Sequence, residues 1–182
     1  MKKNLLTLML LCLISCVYAQ ETKKDEAQKA TGNNEIRLNL LNSIIGIPEL
    51  SYERIFKDNS GIGLSVLVGI DDNTDYKFGV IPYYRIYFGN SQKKATGFFI
   101  EANTAIMQVK DDRIYLIDMN GYDYSYRDES VTNFGLGAAA GGKFLTKSGF
   151  VGEVYLGVGR FFNGNSNVEA YPRIGITIGK RF

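Results

Sequence analysis

The sequence predicts an all-β fold, an eight-stranded antiparallel up-and-down transmembrane β-barrel. Apolar residues recur with a period of two from residue 35 onward. One face of many of these segments is almost free of charge, and the other carries Gly, Ala, Ser and Tyr with isolated charges. The chain also opens with a segment of export-signal character.

That opening segment has three parts. Lys2 and Lys3 form a basic start, an apolar run from Leu5 to Ile14 is broken only by Thr7, and Val17-Tyr18-Ala19 offers small residues before Gln20. The run is too short for a membrane helix, which needs about 20 residues. Residues 1–19 therefore read as a signal peptide cleaved after Ala19. Leu13-Ile14-Ser15-Cys16 also has the form of a lipoprotein signal, which would lipidate Cys16 instead. Cleavage takes two lysines and no acid from 21 basic and 19 acidic residues, so the mature chain is neutral and nucleic acid is not an expected partner. It also removes Cys12 and Cys16, which excludes a disulfide framework and a thiolate metal site.

Residues 20–34 (QETKKDEAQKATGNN) have no apolar period and read as a flexible periplasmic segment. Residues 35–182 form one domain. Strands are expected at about 35–43, 48–57, 61–70, 76–89, 96–109, 131–145, 149–161 and 169–182. In the fourth, Phe78, Val80, Pro82, Tyr84, Ile86 and Phe88 share a face opposite Gly79, Ile81, Tyr83, Arg85 and Tyr87. In the last, Ile174, Ile176 and Ile178 oppose Arg173, Gly175 and Thr177. Most segments reach the roughly 9–11 residues that a tilted membrane strand needs. Turn chemistry separates them, as in Lys57-Asp58-Asn59-Ser60-Gly61, Asn90-Ser91-Gln92, Thr146-Lys147-Ser148-Gly149 and Asn163-Gly164-Asn165-Ser166-Asn167. An even number of antiparallel strands can close on itself and leave no edge.

A water-soluble barrel alternates as well, but its outer face should be rich in charge. Here the face opposite the apolar one is instead small, as in Asn133, Gly135, Gly137, Ala139, Gly141 and Lys143, which suits a narrow interior. Aromatics near strand ends (Tyr52, Phe56, Tyr76, Phe78, Phe98, Phe161, Phe162, Tyr171) are expected in girdles at the two interfaces. The alternative is a soluble or lipid-anchored periplasmic barrel that binds a hydrophobic ligand.

With the signal, the segment Pro48-Glu49-Leu50-Ser51-Tyr52-Glu53-Arg54 and the terminal run from Arg173 to Phe182, the chain resembles small OmpA/OmpX-type eight-stranded barrels, and within them uncharacterised families. The resemblance spans residues 35–182 and is architectural. It implies the outer membrane, with its lipid and lipopolysaccharide as surroundings. It also implies that a last strand ending in Phe182 is read by the barrel-assembly machinery, although Lys180 stands where an apolar residue is usual.

Other motifs fail on chemistry. Gly137-Ala138-Ala139-Ala140-Gly141-Gly142-Lys143 has P-loop spacing, but Phe144 replaces the hydroxyl that would hold magnesium, and a strand follows. Asp71-Asp72-Asn73-Thr74-Asp75 begins like a calcium loop, but Tyr76 and Pro82 stand where Gly and Glu are needed. The chain has no His, which removes Ser-His and Cys-His pairs and the usual zinc ligands. No cofactor, metal or catalytic site is expected, and a His-free enzyme acting on lipid is the weakest reading.

Two groups of residues remain. Arg37, Glu53, Arg85, Glu101, Lys143, Glu153 and Arg173 all have odd numbers and fall opposite the apolar faces of their strands. A buried charge left alone is costly, so they should form a hydrogen-bonded lumen network that is structural rather than an ion path. The fifth connection, residues 110–130, is long and contains Tyr115, Tyr122, Tyr124, Tyr126 and Arg127. Long connections of this type face outward, and Tyr and Arg suit binding surfaces. Ile114, Leu116 and Met119 would let it extend as a hairpin turning at Asn120-Gly121. The expected role is therefore non-enzymatic, in surface interaction or envelope integrity, with an unknown extracellular partner.

Overall fold

The computed structural model describes residues 32–71, 74–89, 94–117, 123–162 and 168–182, and within 111–129 it describes the backbone only. The signal peptide and most of the following polar segment lie outside the described residues. The strands are β1 (Asn34–Asn39), β2 (Glu49–Lys57), β3 (Ser60–Val68), β4 (Tyr76–Tyr87), β5 (Gly97–Ile117), β6 (Asp123–Leu145), β7 (Phe150–Phe161) and β8 (Ala170–Arg181). Each pairs antiparallel with its neighbours in sequence, and β1 pairs with β8 to close the barrel. The seam runs from Glu35 opposite Arg181 to Asn39 opposite Thr177. It is fastened at its end by Asn34 N–H to Phe182 O (3.1 Å) and Phe182 N–H to Asn34 O (2.9 Å). Asn34 therefore belongs to the wall and not to the preceding polar segment.

Closure turns sequence parity into inside and outside. Odd-numbered side chains of the barrel wall face the lumen: Arg37, Ser65, Ile81, Tyr83, Arg85, Phe99, Glu101, Tyr155 and Arg173 are all buried. Even-numbered ones face out: Leu50, Ile62, Leu64, Ile100, Ile106, Leu136, Val154, Leu156, Ile176 and Ile178 are exposed apolar residues. Three expected girdle aromatics are corrected: Tyr76, which a register shift before Phe78 turns onto the lumen cluster beside Val109, and two that follow this parity. Phe161 and Tyr171 point inward and pack with ring centroids 4.9 Å apart.

The interior is filled by pairing large rings with absent side chains. A Cβ at Gly137 would lie 2.7 Å from the Tyr171 hydroxyl, and one at Gly175 would lie 2.5 Å from the Tyr155 ring. These glycines leave the volume that the tyrosines occupy. An apolar group of Leu67, Ile81, Ala105, Met107, Val109, Phe161 and Tyr171 closes the end of the lumen nearer the β5–β6 turn. A second group, including Ile55, Tyr87, Ala95 and Phe99, lines the opposite half. There the β4–β5 connection folds over the mouth: Ala95 N–H donates to Asp58 O (2.7 Å), and Arg181 donates to the carbonyls of Lys94 (2.8 Å) and Ala95 (3.2 Å).

One expectation of local structure is corrected, and a second, the extension of β5 and β6 as a hairpin, is met in its strand pairing. The first strand stops at Asn39 rather than 43, and a short helix, α1 (Leu40–Ile44), follows. The Asn39 side chain caps it by accepting from Asn42 N–H (3.3 Å), and Gly46 at φ +85° ends it. The second concerns residues 110–130. Most of this connection is strand: β5 and β6 stay paired from Lys110 opposite Ser130 to Ile117 opposite Asp123. The last β4–β5 pair is Tyr76 with Val109, and the last β6–β7 pair is Gly135 with Phe161. Lys110 N–H still donates to Asp75 O (2.7 Å), and seven further rungs of β5–β6 ladder rise beyond it as a two-stranded ribbon, about 24 Å at the usual rise per residue. Asn120-Gly121 lies outside the described residues.

Candidate functional site

The most organised chemistry in the molecule is inside the barrel. Five cationic side chains, Arg37, Arg85, Lys143, Arg173 and Arg181, and five carboxylates, Glu35, Glu49, Glu53, Glu101 and Glu153, are buried there, so the network is neutral. Taking each ion from water costs several kcal/mol, so each must find good partners.

The partners interlock across the lumen. Glu53 of β2 meets Arg37 of β1 (2.7 Å), Arg85 of β4 (3.3 Å) and Lys143 of β6 (3.3 Å). Glu101 of β5 accepts from Arg85 Nε (2.7 Å) and Arg173 Nε (2.8 Å), joining β4 to β8. Glu153 of β7 meets Arg85 (3.0 Å), Lys143 (3.1 Å) and Arg37 (3.2 Å). Arg173 also pairs with Glu49, and Arg37 with Glu35. Arg181 donates from Nε to Glu35 (2.7 Å), which ties the seam from within. Aromatic faces cover the cations: the Arg85 guanidinium is 4.3 Å from the Phe99 centroid, and Lys143 Nζ is 4.4 Å from that of Tyr87.

All seven charged residues singled out from the sequence lie in this network. Sequence reasoning missed Glu35, Glu49 and Arg181. They share the odd parity, but they sit at strand ends, where alternation alone does not separate lumen from solvent. The Glu35, Glu53 and Glu153 carboxylates bring oxygens within 4.8 Å of one another, a spacing that could hold a metal ion. The Lys143 ammonium lies among them, 2.8 Å from Glu35 and 3.1 Å from Glu153. A protein cation thus stands where a metal would.

Lys143, the lysine of the P-loop-like run, is committed to these carboxylates, and the glycines before it belong to β6. Asp72 and Asn73 of the calcium-like run lie outside the described residues. In the ribbon, Tyr115 stands opposite Ser125, Tyr124 opposite Leu116, Tyr126 opposite Ile114 and Arg127 opposite Arg113. Tyr122 lies outside the described residues. Phe182 is exposed on the outer face at the seam.

No protein-family model matches the chain, and no curated protein is significantly similar to it. Among solved structures it is similar to the N-terminal β-barrel domain of Pseudomonas aeruginosa OprF, with a TM-score of 0.52 at 14% identity over 83% of this chain and 98% of that one. The chain thus shares with that domain the closed eight-stranded architecture of the OmpA type.

Proposed function

We propose that this protein is a non-enzymatic outer-membrane barrel that serves as a sealed anchor for the β5–β6 ribbon, which acts in surface interaction or envelope integrity. One observation carries the reading. The longest ladder among the described residues leaves the wall at Lys110 and Ser130 and continues for seven further rungs, Asp111–Glu129 to Ile117–Asp123, with no third strand paired to it among the described residues. The wall itself supports a membrane setting, because the outward side chains of its central belt are apolar and its inward charges are neutralised in place. In this setting the export signal delivers the chain, Phe182 marks its last strand for the assembly machinery, and lipid and lipopolysaccharide surround it.

Barrels of this kind turn short connections to the periplasm and long ones outward. β2 and β3 are separated by two residues, and β6 and β7 by four, at the end where β1 begins and β8 ends. The ribbon rises from the other end and would stand outside the cell. The experiment is to replace residues 112–128 with a short Gly/Ser turn. The shortened protein should insert and resist carbonate extraction from the outer-membrane fraction, and it should reproduce the phenotype of the full deletion. Full restoration of a deletion strain would show that the ribbon is not the functional part. Release of the native protein as a soluble monomer would overturn the membrane setting.

A further inference from the structure

We propose that the turn end of the barrel is a binding surface for anionic phospholipid headgroups in the leaflet that faces the turns. The inference rests on the membrane reading above and concerns a different end of the molecule from the ribbon.

The observation is a separation of charge among the residues whose side chains are described. Ten ionic side chains neutralise one another in the lumen. At the rim from which the ribbon rises, Lys77, Lys110 and Arg160 are balanced by Asp71, Asp75 and Glu169. At the turn rim, Arg54, Lys57, Lys94, Lys147 and Lys180 face a single acid, Asp58. All five cations are exposed. Asp58 engages one of them, Lys94, at 3.0 Å. Among the residues whose side chains are described, the excess of positive charge therefore sits at the turn end of the barrel.

The surroundings of these cations suit a headgroup layer. Phe56, Phe88, Phe98, Phe144, Phe150 and Phe182 encircle the same rim, all exposed and all on the outer face. Rings at this level mark the boundary between acyl chains and headgroups. The lysines stand at or beyond that boundary. Lys180 lies across the Phe150 ring with Nζ 4.6 Å from its centroid and donates to Ser148 O in the turn (2.9 Å). Its stem covers apolar surface while its charge reaches the polar layer. Arg54 is drawn the same way, donating to Asn34 Oδ1 (2.7 Å) beside Tyr52. An apolar ring with an unneutralised cationic fringe complements a phosphodiester headgroup of net negative charge. It offers less to a zwitterionic headgroup, whose own cation it would repel.

The test uses the mature protein in phosphatidylcholine bilayers doped with spin-labelled phosphatidylcholine or phosphatidylglycerol, reading the lipid restricted at the protein surface. The native barrel should prefer phosphatidylglycerol by about three-fold or more at low salt, falling toward parity at about 1 M salt, where screening is short-ranged. Combining K57Q, K94Q, K147Q and K180Q should abolish the preference. The same four positions as arginine should keep it, and K77Q with K110Q and R160Q at the other rim should leave it unchanged. Parity in the native protein, a preference insensitive to salt, or one that survives the four glutamines would overturn the proposal. If the glutamine variant does not insert, the salt series and the other-rim variant decide. Failure of the native protein to insert into phosphatidylcholine alone would instead overturn the membrane reading.

Discussion

Glu101 is the sharpest place to perturb the lumen. It is fully buried, and its two oxygens receive Arg85 Nε at 2.7 Å, Arg173 Nε at 2.8 Å and Asn103 Nδ2 at 3.0 Å. Glu101→Leu removes both oxygens that accept from these three donors and leaves the network with one net positive charge. Arg85 retains Glu53 and Glu153, and Arg173 retains Glu49, so neither guanidinium is stranded. The expected loss is therefore that of breaking one buried pair, about 3–5 kcal/mol, rather than twice that. Glu101→Gln keeps acceptor capacity but loses the charge, and should cost about half as much. Asp58→Ala is the control. Asp58 and Lys94 are 75% and 56% exposed, and such a pair contributes little, within about 1 kcal/mol. Urea unfolding of the inserted barrel, followed by the mobility difference between folded and unfolded forms, measures all three. If Glu101→Leu and Asp58→Ala unfold at the same midpoint as the native protein, the lumen assignment of Glu101 is wrong.

Three further outcomes are expected. Purified barrel in planar bilayers should carry no steady current, because the lumen charges are at most 4% exposed and an apolar group closes one end; stable channels would refute this. Gly137→Ala should destabilise the barrel by about 1–3 kcal/mol, because its Cβ would meet the Tyr171 hydroxyl at 2.7 Å and the Gly159 Cα at 2.8 Å. Gly142→Ala and Gly152→Ala, where a Cβ would meet nothing within 4 Å, should be neutral or stabilising, and an equal loss at all three positions would show that Gly137 is not limited by packing. Phe182→Ser should slow assembly in cells while leaving refolding into detergent unchanged; matched effects in both would assign Phe182 a role in stability instead.

How far the sequence could be read depended on which constraint was local. Strand number and facing follow from period two, because one residue of slip would turn Arg85 and Glu101 out toward the apolar face. That rule reached Arg37 and Glu153 without any knowledge of their partners. It did not reach Glu35 and Arg181, since their burial comes from the seam and from a connection that covers the mouth, contacts between residues far apart in the chain. It also extended the first strand through Leu40 and Leu41, which are apolar enough for either state. The turn of helix there is set by the Asn39 cap. Phe161 and Tyr171 were placed at the interface by residue type although their parity pointed inward. The ribbon was legible only as a possible extension of its flanking strands, because its composition is that of a polar loop.

The neutral network also bears on how such a wall can be built. Its balance belongs to the whole circle and to no single hairpin. β1 and β2 bring Glu35, Arg37, Glu49 and Glu53, a surplus of two negative charges, while β3 and β4 bring only Arg85. Glu101 and Lys143 cancel on β5 and β6, and β7 and β8 return one positive charge with Glu153, Arg173 and Arg181. An amino-terminal hairpin entering lipid alone would carry uncompensated carboxylates whose counter-ions are up to 146 residues away. Stepwise insertion, hairpin by hairpin, is therefore disfavoured at its first step. In the membrane setting proposed above, a route that brings Arg85 of β4, Lys143 of β6 and Arg173 and Arg181 of β8 against β1 and β2 before the wall enters the bilayer supplies those counter-ions, so that closure and entry would occur as one event, with the slow kinetics that such distant contacts impose.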